Sequence, residues 1–212
     1  MKNGKLKGIL LSILLVTSLL VPLLSLSLSS QTAYASSISE SFDTGTDGTY
    51  HTTENTWSLP SGTWYELNAL HGNITPPGDR FNGVKAVRMR WQSAYPGYII
   101  SPANATGGGT VSFYYARYGT DSGVTFRVEY SKDGGAWTQI GSDTSTEGVT
   151  TLTLWSYTLN QTGSIRIRIR PISGEADKRF NIDDFSLTDC VMPENWFEKV
   201  CMPDLGQHSA SW

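Results

Sequence analysis

The chain has 212 residues, of which 39% are hydrophobic and 17% charged, and its formal net charge is −3. This length is sufficient for one domain with a hydrophobic core. The acidic balance argues against a generally basic nucleic-acid-binding protein and leaves room only for a local basic face. With two cysteines in total, the chain has no disulfide framework to hold its core together.

The N-terminus has the pattern of a signal peptide. Three lysines lie among the first seven residues, an apolar run follows over 9–28, and Ala33-Tyr34-Ala35 gives the small-x-small cleavage pattern. An uncleaved membrane anchor is the alternative, which Pro22 and the cleavage pattern disfavour. We therefore predict a signal peptide over residues 1–35 and a secreted, extracellular protein with a formal charge of −6, with no membrane contact after cleavage.

After the leader, short strand-like segments alternate with turn residues, the rhythm of a sandwich or jelly roll. No segment has a helical period. The prediction is therefore an all-β jelly-roll β-sandwich of two antiparallel sheets over residues 36–189. Its predicted strands are 38–42, one or two short strands around Trp57 and 64–67, then 84–91, 98–101, 110–118, 123–131, 137–141, 150–159, 164–170 and 180–187.

Residues 190–212 lack this alternation and are predicted to form an irregular C-terminal tail. Two origins remain open for it: a small genuine appendage, or the end of a truncated or frame-shifted reading frame. Cys190 and Cys201 both lie in this tail. In an exported chain they can form a disulfide, which would close a small loop outside the core.

Several segments resemble known jelly-roll domains. The early Phe42-Asp43 pair and the closing segment 182–187 resemble jelly-roll carbohydrate-binding modules. Segments 111–115 and 128–135 resemble the MAM-like, cleaved-adhesin domains of bacterial secreted proteins, which also precede some exported nucleases and proteases. The resemblance extends over 39–188 and implies a fold more than a ligand, because such folds carry many functions.

Carboxylates lie at both ends of the predicted domain. If the first and last strands pair, these acids converge and repel one another unless a hard cation or a basic side chain lies among them. In the carbohydrate-binding modules that the chain resembles, calcium is often held there, which implies structural Ca²⁺ at Asp43 and Asp184 with Glu40 and Asp183 as neighbours. The alternative is that these acids are solvated or pair with Arg179. Strand alternation places Asp183 and Asp184 on opposite faces unless a bulge intervenes.

Aromatic residues in polar loops are candidate sugar platforms, because flat rings stack on the apolar faces of sugars. Plain packing is the alternative for each of them. The candidates are Trp64, Tyr65, Tyr95, Tyr98 and Tyr118. Aromatic residues that alternate with aliphatic ones on strands are predicted to be core: Trp91, Phe113, Tyr115, Phe126 and Tyr130.

Arginines recur on the predicted outward sides of several strands. If these strands share a sheet, they form a face that can bind a polyanion, either nucleic acid or acidic polysaccharide. The alternative is an ordinary charged coat over an exposed sheet, which the net negative charge favours. The arginines concerned are Arg88, Arg90, Arg127, Arg166, Arg168 and Arg170.

Nothing in the sequence indicates catalysis. The three histidines are scattered, and none lies in a nucleophile motif or at a two-histidine metal spacing. We therefore predict a secreted non-catalytic binding or adhesion module, with an extracellular or cell-surface carbohydrate as ligand. Two alternatives stay open: the N-terminal accessory domain of a truncated exported nuclease or protease, and a structural spacer.

Overall fold

The computed structural model of the chain describes residues 37–72 and 77–190. These residues form twelve β-strands and no helix, which confirms the all-β prediction. None of them belongs to a helix long and apolar enough to cross a bilayer. The predicted signal peptide, Cys201 and nearly all of the predicted tail lie outside the described residues.

One six-stranded antiparallel sheet, sheet A, contains the first and last strands of the domain. Its order is β10-β7-β12-β5-β4, and β1 pairs with the end of β12, so that Glu40 lies opposite Phe185. The pairing of first and last strands that the acidic segments suggested is therefore present. The strands are β1 (Ile38–Glu40), β4 (Ala69–His71), β5 (Val87–Arg90), β7 (Gly108–Arg117), β10 (Thr153–Gln161) and β12 (Arg179–Leu187).

The second six-stranded sheet, sheet B, is also antiparallel and packs against sheet A through a shared core. Its order is β2-β3-β6-β11-β8-β9. Together the two sheets make the predicted β-sandwich. The strands of sheet B are β2 (Asn55–Leu59), β3 (Gly62–Leu67), β6 (Tyr98–Ile100), β8 (Thr125–Lys132), β9 (Thr138–Ser145) and β11 (Ile165–Ser173).

The core follows from period-2 alternation on both sheets. In β11, three isoleucines are fully buried and the arginines between them point outward, because successive side chains of a strand face opposite sides. Phe126 of sheet B stacks on Phe180 of sheet A with ring centroids 5.4 Å apart. The predicted core aromatics are confirmed: Phe113, Tyr115 and Phe126 are buried, while Trp91 and Tyr130 pack against the core.

The outer face of sheet A is covered over β5 and β12 by the loop 77–85. Asp79 of this loop accepts hydrogen bonds from Arg88 Nε at 2.7 Å and from Asn181 Nδ2 at 2.9 Å. The backbone N–H of Arg80 donates to Asn181 Oδ1 at 3.0 Å. This buried polar network ties the loop to the sheet and covers the β5 and β12 part of the outer face of sheet A.

Cys190 closes the described part of the domain. It is buried at 6% exposure beside the end of β12, and it is disulfide-bonded. The chain contains one other cysteine, Cys201, which lies outside the described residues. The disulfide is thus attached at the end of the sandwich, in keeping with its predicted position outside the core.

Candidate functional site

The outer side of sheet B combines aromatic rings with charged hydrogen-bonding groups. Cross-strand pairing places Tyr65 beside Ile100, Ile100 beside Arg168, and Arg168 beside Glu129 in one row. From β3 to β9 this row crosses four strand spacings, about 19 Å. We call this surface the open face, and it consists of Tyr65, Tyr98, Arg127, Glu129, Trp137, Arg166, Arg168 and Arg170.

Three partly exposed aromatic rings belong to the open face. The Arg166 guanidinium lies 4.5 Å from the centroid of the Tyr65 ring, and that of Arg168 lies 4.4 Å from the Trp137 ring. Such cation–π contacts hold the rings in place without burying them. The Tyr98 hydroxyl donates to Glu54 at 2.8 Å, and burial together with this carboxylate raises the pKa of Tyr98 to about 12.

Acidic residues neutralise most of the arginines on this face. Glu129 accepts from Arg168 Nε at 2.7 Å and from Arg170 Nε at 2.9 Å. Burial would raise the pKa of Glu129, but the hydrogen bonds from the two arginines outweigh it and hold the pKa below its ordinary value. Arg127 makes two hydrogen bonds of 2.8 Å to the carboxylate of Asp143.

Arg166 differs from its neighbours on the open face. Its Nε donates to the backbone oxygen of Ser101 at 3.2 Å. Among residues 37–72 and 77–190, no carboxylate forms an ion pair with it, whereas Arg127, Arg168 and Arg170 all have one. Arg166 is therefore the cation of this face that is available to a ligand.

The predicted six-arginine face is wrong in two of its members. Arg88 and Arg90 do point outward, but β5 pairs with β12 and β4 in sheet A, on the other side of the sandwich. Arg88 is buried against Asp79, and Arg90 donates to Asn68 Oδ1 at 2.9 and 2.7 Å. Alternation along a strand predicts whether a side chain points into the core or outward, but it does not predict to which sheet the strand belongs.

Two of the five predicted sugar platforms are also wrong. Trp64 is 1% exposed and packs in the core edge-to-face against Phe42 and Phe185. Tyr118 lies between the guanidinium groups of Arg88 and Arg179, at 4.6 and 4.0 Å from the ring centroid. Neither ring offers a free face to a sugar.

The remaining candidate aromatics are placed as follows. Tyr65 and Tyr98 share the open face, on the paired strands β3 and β6. Tyr95 is 44% exposed in the loop between β5 and β6, and its backbone oxygen accepts from Asn68 Nδ2. Trp137 is a member of the open face that the sequence analysis did not identify. Its position two residues before Gln139, on the outward side of β9, was the available signal.

The predicted calcium ligands converge in part. Asp43 Oδ1 accepts from the backbone N–H groups of Val84 and Lys85 at 2.7 and 3.1 Å. Asn82, in the same loop, donates from its backbone N–H to Asp183 and from its side chain at 2.8 Å to Asp184. Three carboxylates thus accept hydrogen bonds from the segment 82–85, although among the described residues they do not form a group whose ligand oxygens all lie within 4.8 Å of one another.

A bulge in β12 makes this convergence possible. Asp184 has a φ of +47°, and the pairing with β7 shifts register between Asp183 and Ser186. The two neighbouring acids can therefore approach the same loop, against simple alternation. Glu40 lies apart from them, accepting hydrogen bonds from the backbone of Phe42 and from Ser61.

Burial leaves the charge of Asp183 poorly compensated. Desolvation, aided by the nearby Asp184 and Asp43 carboxylates, raises the pKa of Asp183 to about 7, although the N–H groups of Asn82 and Asp184 act in the opposite direction. A group in this state gains from a proton or a cation. The chemistry of the donor set, which is oxygen only, suits a hard cation such as Ca²⁺.

A second polar group lies between β2, β3 and the loop before them, and no sequence motif indicated it. Asp47, His51 and Glu66 each offer one ligand atom, and these atoms lie within 4.8 Å of one another. Burial raises the pKa of Glu66 to about 7, against the opposing effect of its hydrogen bond from Ala69. The spacing Asp47-x-x-x-His51 was the only signal in the sequence.

The fold is similar to that of several solved domains. The K2 cleaved adhesin domain of Lys-gingipain from Porphyromonas gingivalis matches with a TM-score of 0.50 and 18% identity, over 72% of this chain and 99% of that chain. A family 61 carbohydrate-binding module in complex with β-1,4-galactotriose matches with a TM-score of 0.46 and 19% identity, over 59% of this chain and 88% of that chain. The CBM22-1 xylan-binding domain of Paenibacillus barcinonensis Xyn10C matches with a TM-score of 0.45 and 10% identity, over 73% of this chain and 94% of that chain.

The match to the K2 domain confirms the resemblance to cleaved adhesin domains as one of fold. No protein-family model matches the sequence, and the search of curated protein sequences found no match either. At such low identity, the residues of the sites described above have to supply the functional argument.

Proposed function

We propose that this protein is a non-catalytic glycan-binding module and that the open face is its binding surface. The observation that carries the proposal is that Tyr65, Tyr98 and Trp137 are partly exposed on the outer side of one sheet, interleaved with arginines. Sugar binding requires ring faces for stacking and fixed polar groups at their edges. Glu129 with Arg168 supplies such polar groups, held rigid by their own hydrogen bonds.

The charge of the open face favours a glycan over a dense polyanion. Glu129 and Asp143 already occupy three of its four arginines, so the face offers a ligand one unpaired cation, Arg166. A nucleic acid carries a phosphate at every step and binds through many such cations. A neutral glycan, or one with an occasional carboxylate, matches one free guanidinium better.

Replacing Tyr65 or Trp137 with alanine is expected to weaken glycan binding about tenfold each, which corresponds to about 1.4 kcal/mol. The measurement is retardation in gels that contain galactan, xylan or a polyuronate, followed by calorimetry with soluble oligosaccharides of whichever is bound. Tyr114→Ala is the matched control, because Tyr114 is 37% exposed on the other sheet. Its binding should equal that of the unmodified protein.

The same gels distinguish the second candidate ligand, a polyanion. The glycan proposal would be wrong if DNA retarded the protein at low salt but not at high salt, and if Arg166→Gln abolished the retardation. The ligand would then be a polyanion. If a glycan retarded the Tyr65 and Trp137 variants as strongly as the unmodified protein, the open face would not be its binding site. If no gel retarded the protein, the remaining interpretation would be that the domain is a structural spacer.

We propose that a structural Ca²⁺ binds at Asp43, Asp183 and Asp184. The support is the convergence of these carboxylates around segment 82–85 and the unfavourable burial of Asp183. Glu40 is a less suitable ligand because its hydrogen bonds are to Phe42 and Ser61 and none is to the segment 82–85. The ion would join the first strand region, the covering loop and β12.

Calcium is expected to raise the melting temperature, because it binds the folded state alone. At 100 times its Kd the ion would add about 2.7 kcal/mol, which is roughly 5–10 °C for a domain of this size. Differential scanning calorimetry with Ca²⁺ and with a chelator measures this. Asp183→Asn should abolish the response, and Asp143→Asn, on the open face, should keep it. An unchanged melting temperature in the chelator would contradict the site.

We propose further that the protein acts outside the cell. The leader-like residues 1–35 support this, as does the disulfide at Cys190, since disulfides persist in oxidising compartments. Expression in a secreting bacterial host should give a protein in the medium that begins at Ser36. Mass spectrometry of its N-terminus checks the cleavage, and an intact N-terminus in the membrane fraction would indicate an anchor instead.

A further inference from the structure

The group formed by Asp47, His51 and Glu66 contains a buried polar atom without a partner. Glu66 is 0% exposed, and its Oε2 accepts from the Ala69 N–H at 3.2 Å, while its Oε1 has no donor within hydrogen-bond distance; the Asn55 side chain also stabilises this carboxylate. The ring nitrogen Nε2 of His51 lies 3.9 Å from Oε1. An unsatisfied carboxylate oxygen in the interior is costly, so its persistence points to a ligand.

The distances fit a small metal ion. His51 Nε2 lies 3.2 Å from Asp47 Oδ1 and 3.9 Å from Glu66 Oε1, and one ligand atom of each residue falls within 4.8 Å of the other two. Zinc bonds to nitrogen and oxygen of about 2.0–2.2 Å place adjacent tetrahedral ligands about 3.3–3.6 Å apart. Small movements of one side chain would therefore bring all three atoms to a common ion.

The ligand residues are held in place by a surrounding set of hydrogen bonds. Asp47 Oδ2 accepts from Asn55 Nδ2 at 2.9 Å and from Trp57 Nε1 at 3.1 Å, which fixes the carboxylate so that Oδ1, 3.2 Å from His51 Nε2, is the oxygen that would bind an ion. The backbone of Asp47 forms a two-bond bridge with His71, and the backbone oxygen of His51 accepts from Asn68. Outer partners of this kind orient metal ligands and are typical of functional metal sites.

We propose that Asp47, His51 and Glu66 form a binding site for one divalent transition-metal ion of the zinc class. Histidine nitrogen and carboxylate oxygen are ligands that zinc takes in proteins, and three protein ligands leave a fourth position for water or another ligand. The side chain of His51 is 33% exposed and that of Asp47 is 20% exposed, so an ion can enter from solvent. Calcium prefers six to eight oxygen ligands and is disfavoured here.

This site is separate from the calcium site and from the open face, so its test is independent of both. The purified protein, with any affinity tag removed and its disulfide intact, is stripped with a chelator and titrated with Zn²⁺ by calorimetry. Co²⁺ serves as the spectroscopic probe, because its visible absorption reports tetrahedral coordination. The expected result is saturable binding of one ion, with a higher melting temperature in Zn²⁺.

The variants locate the ion. His51→Gln and Glu66→Gln are expected to weaken Zn²⁺ binding at least tenfold, whereas Glu54→Gln, in the same loop and exposed, should bind like the unmodified protein. Asp183→Asn should also leave Zn²⁺ binding unchanged. His51→Gln keeps the test valid if the buried Glu66 variant fails to fold. Absence of saturable binding, or equal affinities of His51→Gln and Glu54→Gln, would overturn the proposal.

Discussion

Replacing Asp79 with asparagine is expected to destabilise the domain by about 3–5 kcal/mol, the cost of leaving a buried charge without its partner. The side chains of Arg88 and Asp79 are 7% and 1% exposed, and Asp79 also accepts from Asn181. Burial acts to lower the pKa of Arg88, but its hydrogen bond and charge interaction with Asp79 outweigh this and raise it. Arg88 therefore stays charged when its partner is neutralised.

Urea denaturation followed by tryptophan fluorescence measures this loss. Asp143→Asn is the matched control, because Asp143 forms the same two-bond contact with Arg127 where both side chains are about one-third exposed. Exposed ion pairs contribute at most about 1 kcal/mol. Equal losses in the two variants would show that the loop 77–85 does not cover Arg88 as described.

Replacing Trp64 with alanine is expected to destabilise the domain by about 3–5 kcal/mol, because it removes a large buried side chain and leaves a cavity. Trp64 packs on Phe42 at 5.1 Å and on Phe185 at 5.0 Å between ring centroids, and its Nε1 donates to Ser61. The neighbouring Tyr65→Ala, on the opposite side of the strand, should cost about 1 kcal/mol or less.

Thermal and urea unfolding of the two variants, together with their glycan binding, separate packing from recognition. Trp64→Ala should lower stability and leave the glycan affinity of the remaining folded protein unchanged. Tyr65→Ala should weaken glycan binding and leave stability nearly unchanged. If Trp64→Ala kept the stability of the unmodified protein and lost binding, its ring would be a platform after all, as its position among polar residues first suggested.

The fold was largely predictable because it rests on local patterns. Alternating side chains predicted most strands, and the pairing of β1 with β12, on which the predicted convergence of the acids depended, is present. Sheet membership was not predictable from alternation, since β5 and β11 carry similar Val/Ile/Met and Arg patterns but lie in different sheets. β5 and β11 differ only in the distant strands with which they pair. The residues of one strand alone do not determine those partners.

The candidate site was less predictable, and β3 shows why. Trp64 and Glu66 point inward while Tyr65 and Leu67 point outward, so each face of this strand mixes one apolar side chain with one polar or aromatic one. A buried glutamate contradicts the hydrophobic pattern that identifies an inward face. The same residue is the unsatisfied acid of the proposed metal site. A local violation of the pattern is thus where function is expected.

The most direct test of the central claim is an NMR titration of the isotopically labelled protein with the glycan that retards it most. We expect chemical-shift changes to concentrate on Tyr65, Glu129 and the indole N–H of Trp137, which all lie on the open face. The outer face of sheet A, marked by Tyr114 and its exposed partner Leu154, should remain unchanged. Changes confined to Tyr114 and Leu154, with the open face silent, would contradict the assignment of the binding surface.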